Sequence, residues 1–80
     1  MTNEFVTRDL YFGAFLYAKG AKFKGVNREG RTCWFIFANE VGCKTLQLQF
    51  FSKTAEVNAK EFVDAIQTFK DLIFAENRRN

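Results

Sequence analysis

Eighty residues, 48% hydrophobic, 18% aromatic and 26% charged, specify one small folded domain over 1–80, because a disordered segment lacks that apolar content. Twelve Lys and Arg against nine Asp and Glu leave +3, a mild attraction to polyanions that matters only where the charges cluster. The absence of His removes the usual general base at neutral pH, the commonest transition-metal ligand and every nucleophile triad built on imidazole.

The opening MTNEFVTRD has no basic start followed by an apolar stretch, so no secretory signal is read there and a reducing cytoplasm is expected. Residues 1–6 and 76–80 read as frayed ends. Thr7 can cap a helix over 8–19, with Asp9 in its first turn and Gly20 as its stop. The apolar positions of that helix wrap almost all round it, which suggests burial on several sides or self-association. Leu10 to Ala18 is about half the length of a membrane span, so no membrane role is expected.

The segment KFKGV-NREG-RTCWFIFA has two aromatic and β-branched runs around Asn-Arg-Glu-Gly, which predicts a hairpin with Gly30 in the left-handed turn position. With Val26 facing Arg31, Lys24 opposes Cys33, Phe23 opposes Trp34 and Lys22 opposes Phe35. One face then carries Phe23, Thr32, Trp34 and Ile36. The other carries Lys22, Lys24, Val26, Arg31, Cys33, Phe35 and Phe37. Within 40–53, Leu46, Leu48 and Phe50 alternate with Gln47 and Gln49 as in a third strand, while Leu46 and Phe50 also share a helical face. Asn58 as cap, Glu61 for a capping box and Val57 stapling onto Phe62 open an amphipathic helix over 59–75, with Phe62, Ile66, Phe69 and Ile73 on its core face. The fold class is α+β: an N-terminal helix, a central antiparallel hairpin, a strand or short helix at 44–52, and a long C-terminal helix.

The run Thr7-Arg8-Asp9-Leu10-Tyr11, the Ala14-Phe15-Leu16 and Ala18-Lys19-Gly20 segments, Trp34-Phe35-Ile36-Phe37, and Phe69-Lys70-Asp71-Leu72-Ile73-Phe74 together resemble a family of small uncharacterised bacterial and phage proteins, a domain of unknown function. The resemblance covers about 7–74. It implies a small cytoplasmic protein carried by a phage or prophage, with no established active site to transfer. It also implies more helix around 40–52 than the alternation does, and tilts that segment toward helix.

No catalytic residues emerge. Glu61, Asp64 and Asp71 follow one solvated helix stripe, and neither a carboxylate metal site nor a cofactor is read. Gly42-Cys43-Lys44-Thr45 ends like a phosphate loop but lacks the upstream Gly that forms the cradle. Cys33 and Cys43 fit neither a redox nor a zinc spacing and read as buried free thiols. Functional candidates are therefore Lys19, Lys22, Lys24, Arg28 and Arg31, interrupted only by Glu29, with Phe35 as a stacking ring and Arg78 and Arg79 as a further basic contribution. The expected role is a non-enzymatic accessory protein binding single- or double-stranded nucleic acid through this basic and aromatic hairpin face. The alternative is a homo-oligomeric protein-interaction module, for which surplus rings such as Phe50, Phe51 and Trp34 supply the surface.

Overall fold

A computed structural model describes residues 3–77. In chain order it contains β1 (Glu4–Thr7), α1 (Leu10–Ala18), β2 (Phe23–Glu29), β3 (Thr32–Ala38), α2 (Glu40–Phe51) and α3 (Ala59–Asn77). The α+β class stands. The sheet order is β1-β3-β2, with both outer strands antiparallel to β3, so β1-α1-β2 is a split β-α-β unit with β3 inserted at its centre.

Strand β1 corrects the expectation of a frayed start. Glu4 to Thr7 pair with Ala38 to Phe35, and Phe5 is buried against Phe12 at 5.8 Å. A four-residue strand with one core side chain carries too little periodicity to be read locally. Its pairing also moves the first cap: Thr7 is extended in the ladder, and Asp9 takes over, its carboxylate accepting from the backbone N–H of Tyr11 and Phe12 at 3.0 Å each. The Thr7 hydroxyl accepts from Asp9 N–H at 3.1 Å, which fixes the link between strand and helix.

The hairpin forms, but its register differs from the expected one. Val26 faces Phe35 rather than Arg31, Glu29 pairs with Thr32, and the turn is the two residues Gly30 and Arg31. This shorter turn lets Asn27, Arg28 and Glu29 join the ladder, which adds pairs that a turn at Asn27–Gly30 forgoes. The displacement is an even number of residues, so Cys33, Phe35 and Phe37 still share one buried face. A register shift between Phe23 and Gly25 then exchanges two side chains. Phe23 joins the core face opposite Phe37, and Lys24 reaches the other face, where it pairs with Glu4.

Residues 40–51 are helix, not strand. Asn39, in the left-handed region at φ 68°, accepts from Gly42 N–H at 3.1 Å and caps α2, while Cys43, Leu46 and Phe50 turn inward. The alternation in Leu46-Gln47-Leu48-Gln49-Phe50 was misleading because Leu48 faces solvent. At α3 the expected cap is in place, Asn58 Oδ1 accepting from Glu61 N–H at 2.9 Å. Phe62, Leu72 and Ile73 pack on the core around buried Ala65 and Phe69, whereas Val63 is exposed. The helix continues past the expected end to Asn77; 78–80, part of the tail expected to fray, lie outside the described residues.

All three helices lie on one side of the sheet. Phe69 is fully buried there, with ring centroids 4.7 Å from Phe35, 5.1 Å from Phe23, 5.5 Å from Tyr17 and 6.2 Å from Phe37. It reaches the sheet past α1 because Gly13 has no side chain: a Cβ at that position would lie 3.1 Å from Phe69 Cε2 and 3.3 Å from Phe35 Cδ2. Gly13→Ala should therefore destabilise by about 1 kcal/mol, since overpacking of roughly 1–3 kcal/mol exceeds the helix-propensity gain of about 1 kcal/mol. Phe69→Ala should cost about 3–5 kcal/mol. Denaturant titration checks both, and a more stable Gly13→Ala variant would show that Phe69 can give way.

Candidate functional site

The five basic positions of the hairpin region do not converge. β3 runs from the turn to Asn39, and its two ends are about 20 Å apart at roughly 3.3 Å per residue. Lys19 and Lys22 lie at the Ala38 end, lining a cleft with Asn39, Gly42 and Cys43. Lys19 Nζ donates to the Glu56 carbonyl at 3.0 Å. Arg28 and Arg31 lie at the turn end, where Arg28 Nε donates to the Gly30 carbonyl at 2.8 Å. Lys24 also lies toward the Ala38 end, on the uncovered face, paired with Glu4, the ladder partner of Ala38. Arg78 and Arg79 lie outside the described residues.

Phe35, expected as a stacking ring, is 0% exposed beneath Phe69 and cannot meet a base. The correction follows from which sheet face the helices cover. Sequence periodicity separates two faces of β3 without naming the buried one, and both are rich in rings.

The uncovered face carries what the helices left. Val6, Trp34 and Ile36 point outward and, with Asn27 and Glu29, line a shallow cleft of about 230 Å³. Val6 is 50% exposed, and Trp34 and Ile36 are half-buried. Antiparallel sheets with one face in water ordinarily turn polar side chains outward. Here the outward row of β3 reads Thr32, Trp34, Ile36, Ala38.

A second constellation joins residues far apart in the chain. Arg8, on the link pinned by the Thr7–Asp9 bond, and Arg31, in the hairpin turn, line one cleft of about 240 Å³ with Thr32, Cys33 and Ile73. Arg8 was missed because only the pairing of β1 with β3 brings it beside the turn. Cys33 and Cys43 are both buried and free, and burial pushes the Cys43 thiol up from its ordinary value, which keeps it protonated at neutral pH. Among the described residues no group of His, Cys, Asp or Glu could hold a metal ion, and no helix is long and apolar enough to cross a membrane.

The profile of a family described as a domain of unknown function, DUF5659, matches residues 2–75. The chain belongs to this family. Neither the curated proteins nor the solved structures contain a significant match. For this DUF5659 chain the burial of Phe35 sets a clear expectation: Phe35→Ala should lower stability by about 3–5 kcal/mol. Thermal melting followed by circular dichroism reads that loss, and an unchanged melting temperature would return the ring to the surface.

Proposed function

We propose that this chain is a non-enzymatic protein-interaction module whose uncovered sheet face closes against a second copy of itself. The observation that carries this reading is the outward row of Val6, Trp34 and Ile36 on a sheet whose other face is already filled by helices. An outward Trp beside an outward Ile gains free energy by leaving water, at about 25 cal/mol per Å². The row is self-complementary, which favours a second copy as the occupant. A two-fold axis lying between the two sheets and crossing the strands at Phe35 sets β3 over β3 in opposite directions and brings Trp34 of one copy against Ile36 of the other.

The face is narrow, three strands wide at about 4.8 Å spacing, so the dimer should be a weak one that dissociates in the micromolar range. The exposed Val41 and Leu48 of α2 are less suited, because Lys44 and Thr45 lie between them on the same helix face. A cytoplasmic location belongs to the same reading, supported by two free, buried thiols.

Trp34 is the only tryptophan, so it reports on the proposed interface directly. On dilution its emission should move to longer wavelength, in step with a fall in scattering mass toward the monomer's 9.3 kDa. Ile36→Lys should hold the protein monomeric at every concentration while leaving it folded. A mass of 9.3 kDa across the micromolar range, with emission independent of concentration, would exclude the self-association reading.

A further inference from the structure

Beyond that interface, the charge distribution at the turn end of the sheet supports a separate ligand site. Arg8 and Arg31 line the same cleft, and neither has an ion-pair partner among the described residues. The described carboxylates are engaged or placed elsewhere. Glu4 pairs with Lys24, Glu40 with Lys44 and Asp64 with Lys60. Asp9 caps α1, and Asp71 accepts from Gln67 at 3.0 Å. Glu29, the ladder partner of Thr32, lines the cleft of the uncovered sheet face rather than this one, Glu56 follows α2 at the Lys19 end, and Glu61 lines a cleft with Tyr17 and Ala18. Two arginines therefore line one cleft with no carboxylate among its described lining residues.

The backbone holds both in place. Arg8 is fixed between a ladder residue and a helix cap, and Arg31 is one of the two residues of the hairpin turn. Like charges positioned together repel, and an anion between them removes that repulsion. Arginine forks match the paired oxygens of phosphate and carboxylate. Ile73 gives the cleft wall an apolar patch.

We infer that the Arg8–Arg31 cleft holds a phosphodiester group of a nucleic-acid backbone, with the adjoining sugar against Ile73. The open cleft on a surface carrying a net +3 favours a chain that runs across it over a small molecule enclosed within it. Because the site reads phosphates, it is indifferent to base sequence.

The test uses the full chain and fluorescently labelled mixed-sequence DNA and RNA of about 20 nucleotides, single- and double-stranded, with anisotropy read between about 50 and 200 mM salt. Each phosphate contact contributes about 0.7 to the slope of log affinity against log salt for a single strand and about 0.9 for a duplex. Both arginines hold one phosphate, so Arg8→Gln with Arg31→Gln should lower the slope by about 0.7 for a single strand or 0.9 for a duplex, whereas Lys60→Gln with Lys70→Gln, an equal charge change on α3, should leave the slope near the wild-type value. Arginine modification by phenylglyoxal, mapped by mass spectrometry on the wild-type protein, needs no variant: an oligonucleotide should protect Arg8 and Arg31. Absence of salt-sensitive binding, equal loss in both double variants, or no protection of these two arginines overturns the inference. Binding of a phosphoserine peptide through the same arginines, with no oligonucleotide binding, would also overturn it and assign the cleft to a phosphoprotein.

Discussion

The structure depends on one ring being allowed to cross a helix. Phe69 comes from α3, passes α1 at Gly13 and ends against Phe35, Phe37 and Phe23 of the sheet. In a chain of this size a single ring that touches two strands and a second helix replaces the several layers of aliphatic packing available to larger domains. A second aromatic group, centred on Phe12 with Phe5, Phe15, Phe50 and Phe51, fastens β1 and α2 to the same core. Nine of the eleven Phe thus work as two aromatic groups within one core.

Placing every helix on one side of the sheet has a direct consequence for the other side. Phe35 and Trp34 are neighbours in sequence, and the pleat sends them to opposite faces. The ring that meets Phe69 is lost to solvent, and the ring that does not becomes surface. The proposed self-association and the burial of Phe35 are therefore two outcomes of one packing choice.

Charge follows the same logic of position. Lys19, Lys22, Lys24, Arg28 and Arg31 are close in sequence, yet a seven-residue strand carries the chain across the sheet between Lys22 and the turn. Proximity along the chain thus becomes separation in space, and the reverse holds for Arg8 and Arg31. An extended strand spreads charges at about 3.3 Å per residue, whereas a ladder can join residues from any two parts of the chain. The proposed phosphate contact rests on the second effect.

Several features were legible without coordinates because they are local. The Asn58 cap needs only a side chain three residues before a backbone N–H, the amphipathic face of α3 needs only helical spacing, and the hairpin needs a Gly-containing turn between two β-favouring runs. The burial of Cys33 and Cys43 follows from their ordinary preference. The rest depended on partners distant in sequence. β1 is a strand because β3 accepts it, 40–51 is a helix because Cys43, Leu46 and Phe50 have a core to meet, and the hairpin register was set by a two-residue turn together with a bulge at Lys24. Periodicity determined that β3 has two faces, Cys33, Phe35 and Phe37 on one and Thr32, Trp34 and Ile36 on the other. Which of them became core was decided only when Phe69 passed Gly13 and covered the first, because alternation specifies opposition between faces and burial requires a particular neighbour.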